Sequence, residues 1–271
     1  MSLNKPIWKL RDFIDKDKLN WKLLSLNPNA IELLKENWDK IDWNELSRNP
    51  AAIELLKDNQ NKIDWYFLSL NPNGVEMLKN NPDKINWNIL SHNSNAIELL
   101  KANQDKIYWP GLSVNKNAIE ILEKNPDKIN WHALSGNPSA IKLLEANQNK
   151  IDWYFLSSNP NAIKILEENR DKINWNLLSA NPNAIKILKE NKDKINRNYL
   201  SKNPNIMELF DKNENYEWSE MSSNPSIFQL DYEEMKRNNE AMYEDLIKEV
   251  MKPSRIFKNP DYDYIEELFG D

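Results

Sequence analysis

The sequence predicts an all-α solenoid: about ten short helix-turn-helix repeats, followed by an acidic helical C-terminal cap. Three observations predict it. Tryptophan recurs every 22 residues, at Trp21, Trp43, Trp65, Trp87, Trp109, Trp131, Trp153 and Trp175, and a fixed period of this size marks stacked repeats. Arg197 takes the next beat and Trp218 falls one residue early. Within each period the apolar residues sit three and four apart, which is helical spacing. Glycine occurs only four times in 271 residues, whereas a β-solenoid wants alternating apolar residues and glycine at its corners.

Each element of one period has its own signal. Asn27-Pro28 opens a helix, because Asn caps free N–H groups and Pro suits the first helical position. Ala30, Ile31 and Leu34 form its apolar stripe, widened by Leu33. Asn37 is expected to end it in the left-handed conformation, as are Asn59, Asn81, Asn103, Asn125, Asn147, Asn169, Asn191 and Asn213. Asp42 opens a second, shorter helix in which Trp43 and Leu46 share a face, and Ser47 ends it. Helices this short are marginal alone, so the stripes must be buried by stacking. Helices packed ~8–10 Å apart then predict an elongated, gently superhelical rod. The tryptophans read as a core ladder, and Trp109→Ala should then cost about 3–5 kcal/mol. Arg197 implies that the indoles are partly exposed, because an unpaired Arg is costly to enclose.

The ends depart from the pattern, as capping units should. Residues 1–20 read as an atypical N-terminal repeat. Its turn Asp17-Lys18-Leu19-Asn20 is in register, and its helix carries Trp8, Lys9, Arg11 and Asp12. Residues 21–230 are the tandem repeats, and residues 231–271 are the acidic cap. Met235, Met242, Leu246 and Val250 make the apolar face of a longer helix there, and Phe257-Lys258-Asn259-Pro260 begins a degenerate last unit.

Composition narrows the function. The net charge is −6. Residues 231–271 hold 12 acidic and 6 basic residues, which leaves 30 of each in residues 1–230. A neutral body argues against generic phosphate binding, which needs excess Lys and Arg. Cysteine is absent, so no disulfide or thiolate metal site can form. His92 and His132 lack a second ligand at metal spacing and read as surface residues. No apolar run approaches the ~20 residues needed to span a bilayer. Residues 1–11 lack an apolar stretch with a cleavage site. The expectation is a soluble intracellular protein without membrane insertion, cofactor or metal. No nucleophile, phosphate-loop or metalloprotease motif is present, so an enzyme is not expected.

The phrase Asn-Pro-Asn-Ala-Ile-x-Leu-Leu-x-x-Asn-x-Asp-Lys-Ile-Asp-Trp-x-x-Leu-Ser, nearly unbroken at residues 29–43 and 161–175, resembles repeat proteins encoded in multiple copies by large DNA viruses of amoebae and algae. The resemblance covers about 200 residues. It implies a viral product in the host cytoplasm or viral factory, or in the virion, and it implies no catalytic residues.

Variation against a constant scaffold is how solenoids present binding surfaces. The two residues after each Trp vary most, as does the one after each Ser. Tyr66, Phe67, His132, Tyr154, Phe155 and Tyr199 are therefore the candidate partner-binding residues, since aromatics dominate interface energetics. Drift at tolerant positions is the competing explanation. The stretch Asn59–Ser69 recurs unchanged at Asn147–Ser157, four units on, which points to duplication of a four-unit block. The function expected is a non-catalytic scaffold for a protein partner. The alternatives are a structural component of the virion or viral factory, and a nucleic-acid-binding solenoid. The last would use the tryptophans as stacking platforms and the series Lys40 to Lys194 as a phosphate track. Otherwise those lysines are a solvated edge.

Overall fold

The computed structural model describes residues 6–211 and 216–250. The chain divides into two compact units, residues 10–228, and residues 1–9 together with 229–271.

The repeat body is helical, and its first eight layers follow one course. A Trp helix such as Trp43–Arg48 is followed by the 3-10 turn Pro50–Ala52, the Ile helix Ile53–Lys57 and the 3-10 turn Gln60–Lys62. The next Trp helix, Trp65–Leu70, begins the following layer. The predicted first helix is thus a turn, 3-10 in the first two layers, that hands over to an α-helix, and the Asp-Lys segment is a 3-10 turn. Leu and Ala form the core: Leu24, Ala30, Leu34, Leu46, Ala52, Leu56 and their equivalents are fully buried.

Of the asparagines expected in the left-handed region, Asn213 lies outside the described residues and the other eight are not there. Asn37 has φ −128° and ψ 56°, and Asn59 and Asn81 are similar. The side chain ends the helix instead. Asn37 Nδ2 donates to the Leu33 carbonyl at 2.8 Å, and Asn59 Nδ2 to that of Leu55 at 2.8 Å. A side-chain donor satisfies an orphan carbonyl as well as a turned backbone does, and Asn supplies one without positive φ.

Two buried polar ladders join the layers. Asn49 Nδ2 donates to the carbonyls of Ser25 (2.9 Å) and Asn27 (3.0 Å) of the preceding layer. Its Oδ1 accepts from the Ala51 N–H at 2.9 Å. Ser47 Oγ donates to the Trp43 carbonyl at 2.7 Å and accepts from the Asp64 N–H at 3.0 Å. Buried polar groups need partners, and among the described residues no buried side-chain polar atom lacks one.

These ladders do not end. Asn27 Nδ2 donates to the carbonyls of Ser222 (3.1 Å) and Asn224 (2.9 Å), which occupy the place of a preceding layer. The Asn20 N–H donates to Ser222 Oγ at 2.8 Å. Helix Trp21–Leu24 packs on helix Trp218–Ser222. The ladder asparagines 27, 49, 71, 93, 115, 137, 159, 181, 203 and 224 form a closed circle of ten. The solenoid reading holds, but the open rod is replaced by a ring.

The tenth layer is shared by both chain ends. Its Trp helix and the turn Pro225–Ile227 come from the C-terminal side. Its Asp-Lys turn, Lys16–Lys18, comes from the N-terminal side, with Ile14 and Leu19 buried. The Arg11 N–H donates to the Ile227 carbonyl at 3.0 Å, and its Nε to that of Ser226 at 2.8 Å. The helix expected around Trp8 is a strand, β1 (Trp8–Leu10), paired with β2 (Phe228–Leu230). An Ile helix cannot form there because the chain leaves the ring at Phe228 and enters at Leu10.

In the other unit, Tyr232–Val250 is one long helix. Asp231 caps it, accepting from the Glu234 N–H at 3.2 Å, and Lys9 Nζ lies 3.4 Å from the Asp231 carboxylate. The degenerate unit expected from Phe257 lies outside the described residues.

Candidate interaction surface

In a ring the more tightly spaced elements lie inside. Neighbouring Trp helices pack directly against one another, while neighbouring Ile helices are spread further apart. The Trp helices therefore form the inner wall and the Ile helices the outer one. On the Trp helix, Leu and Ser at the third and fourth positions after Trp face the core. Helical geometry then sends the second and fifth positions the opposite way, into the opening. These are two of the variable positions found in the sequence.

They touch from layer to layer. Arg48 lies over the Phe67 ring, 6.0 Å from its centroid. The His92 ring lies against Gly111, where an added Cβ would come 2.6 Å from it and the ring would have to shift. Lys202 Nζ lies 3.2 Å from the Glu220 carboxylate. In these three steps the fifth-position residue of one layer meets the second-position residue of the next, along the belt of inward-facing positions.

Tyr66 and Tyr154 are about half exposed, at 49% and 48%. Each packs edge-on against its neighbour, with ring centroids 5.3 Å apart for Tyr66–Phe67 and 5.2 Å for Tyr154–Phe155. Phe67, Phe155 and Tyr199 are half-buried in the belt. His132 is exposed and is more than a bare surface residue. Its ring packs edge-on against Phe155 at 4.2 Å, and Nδ1 pairs with the Asp152 carboxylate. The structure therefore brings His132, Tyr154 and Phe155 into one cluster, across layers six and seven. Tyr66 and Phe67 form a second in layer three, and Tyr199 stands apart in layer nine. It borders a cleft of about 350 Å³ with Lys202 and Glu220.

The lysine series is exposed, and most of it lies over the tryptophans. Lys62, Lys106, Lys128, Lys150, Lys172 and Lys194 each hold Nζ 4.3–4.7 Å from the indole of the preceding layer. The signal was in the sequence, since each Lys falls 19 residues after its Trp. The partly exposed tryptophans carry these cations on one side and the layer on the other. Lys18 completes the circle over Trp218 at 5.5 Å.

Sequence reasoning missed a cleft of about 870 Å³ beside Arg197, lined by Phe13, Lys189, Lys192, Phe210 and Asp211 among others. It opens in the ninth layer, where the Ile helix shrinks to the turn Ile206–Glu208. On the outer wall, Lys101 bridges Glu98 of its own helix and Glu120 of the next. Its hydrogen bond to Glu98, then that charge, raise its pKa, and the bond to Lys124 lowers that of Glu120.

Among the described residues no helix is long and apolar enough to cross a membrane. A protein-family model described as NosD, periplasmic copper-binding protein, matches residues 13–234. No curated protein matches the chain, and no solved structure does.

Proposed function

The chain belongs to the NosD family, and from the ring geometry alone we propose that it is a non-catalytic scaffold holding a protein partner on its inner belt. The observation that carries the proposal is the division of labour along each repeat. The Asn, Ser, Leu and Ala positions are buried and nearly invariant, while the variable positions are gathered on one continuous face. Interfaces draw their energy from a few aromatic anchors, and the belt supplies Phe67, Phe155 and Tyr199, with Tyr66 and Tyr154 at its rim.

The family description names copper, and the residues present do not fit it. The chain has no cysteine and two histidines, His92 and His132, which lie two layers apart. Among the described residues no group of three or more His, Cys, Asp or Glu could hold a metal ion. No step of the proposed function runs through a metal.

The resemblance of the repeat phrase to giant-virus repeat proteins supports a host-cell setting, in the cytoplasm or viral factory. The second reading, a subunit of the virion or factory, draws on the same resemblance. Mass spectrometry of purified particles separates the two, because a scaffold for host proteins alone is absent from them.

The test of the scaffold is quantitative capture. The partner recovered on the full chain should bind the combined Tyr66→Ala, Phe67→Ala, Tyr154→Ala, Phe155→Ala variant at least about tenfold more weakly. Equal affinity for a folded variant would remove the belt as the site.

A further inference from the structure

We infer that the opening of the ring seats a single α-helix of the partner, presenting uncharged apolar side chains to the belt. The inference rests on the scaffold reading and names its occupant.

Size comes first. Ten inner helices spaced ~9 Å apart give a circumference of about 90 Å and a radius of about 14 Å. Subtracting about 5 Å for each helix's own radius leaves an opening roughly 18 Å across, and an α-helix with its side chains measures about 10–12 Å. One helix fits, and two side by side do not.

Charge comes second. The charged residues that face inward cancel in pairs: Glu45 with Arg48 at 3.5 Å, and Lys202 with Glu220 at 3.2 Å. A phosphate polymer needs surplus cations along its track, and the regular lysines are engaged with indoles outside the belt. The complement of a wall with cancelled charge is an uncharged surface. Placing an unpaired charge against it would forfeit solvation without return.

The anchors come third. Phe67 and Phe155 stand four layers apart of ten, four tenths of a turn around the opening. They face each other obliquely across it, so a ligand in the opening has one anchor on either side.

The experiment uses the full chain and fluorescein-labelled probes. One is a helical peptide of about 18 residues with a Leu/Ala face, a second is an all-Lys/Glu helical peptide of equal length, and the third is an oligothymidylate. The apolar-faced peptide should bind with one copy per ring. Phe67→Glu with Phe155→Glu should weaken it by about tenfold or more, and so should Ala133→Glu with Ala180→Glu, which adds charge to the belt without removing a packed ring. Glu32→Lys with Glu54→Lys on the outer wall should leave it unchanged. Circular dichroism confirms that each variant is folded. Binding of the oligothymidylate or the charged peptide in place of the apolar one overturns the inference, as does apolar binding indifferent to both inner variants. If the peptide fails while a captured partner still depends on Tyr66 and Phe67, the helical occupant falls and the scaffold stands. If the partner is indifferent as well, both fall.

Discussion

Asn137 shows how much one side chain does in this fold. Its Nδ2 donates to the carbonyls of Ser113 (2.9 Å) and Asn115 (3.0 Å), and its Oδ1 accepts from the Ser139 N–H at 2.9 Å. No other residue type offers two donors and an acceptor at this length. Asn137→Leu strands buried groups on two layers, and should cost on the order of 3 kcal/mol in denaturant unfolding. A loss below about 1 kcal/mol would show that the ladder does not hold the layers together. The indoles give a graded comparison. Trp109→Ala should cost on the order of 3 kcal/mol, while Lys128→Ala, which removes only the cation 4.7 Å from that ring, should cost no more than about 1 kcal/mol. Equal losses in thermal melts would mean that the indole is not packed. At this scale the sequence was informative about which positions are structural, because repetition exposes them. It could not say that Asn37 ends its helix with its side chain, because the same residue type serves both terminations.

At the level of elements, the two helices of each repeat were legible from apolar spacing and caps, and the 3-10 turns between them were not. Pro28–Ala30 and Trp38–Lys40 are too short to carry a periodicity, so they read as turns. The inner wall was half legible. Variation marked Phe67, Phe155 and Tyr199, but which face is concave depends on how neighbouring helices are spaced, a property of packing and not of the repeat. His132 is legible as a variable position but its partners are not, because Asp152 lies 20 residues on, in the next layer. The C-terminal helix offers a pH test. The Glu234 N–H, and to a lesser degree Lys9, hold the Asp231 carboxyl below its ordinary pKa, against opposing desolvation. A depressed folded pKa contributes stability that is present above the unfolded value and lost as pH falls through the folded one. Helix protection measured by hydrogen exchange on Tyr232–Val250 should therefore drop in acid below the ordinary aspartate range. Asp231→Asn, which cannot titrate, should flatten that dependence, and an unchanged profile would remove Asp231 as its cause.

For the whole molecule, closure is the property the sequence conceals. A 22-residue period reports that layers stack, but not the angle between them, and that angle alone separates a rod from a ring. Traces exist after the fact. Trp218 comes one residue early, the period fails after Pro225, and residues 11–20 supply a turn without an Ile helix. Each end lacks what the other provides. If the layer angle is set by the ladders, nine layers cannot close. Deleting residues 111–132, one full period, should then yield a protein that melts at lower temperature or joins other copies through its open ends. A monomer as stable as the parent would show that the angle adapts to the count.

The most direct test uses the absence of cysteine in the chain. Asn20 Nδ2 lies 3.3 Å from Ser219 Oγ across the closure, though 199 residues separate them. In the Asn20→Cys, Ser219→Cys variant, a short bismaleimide should link the two positions within one molecule rapidly and nearly completely in dilute solution. Linkage only between molecules, or none in a folded protein, would mean that the layers form an open stack and that there is no inner wall for a partner to enter.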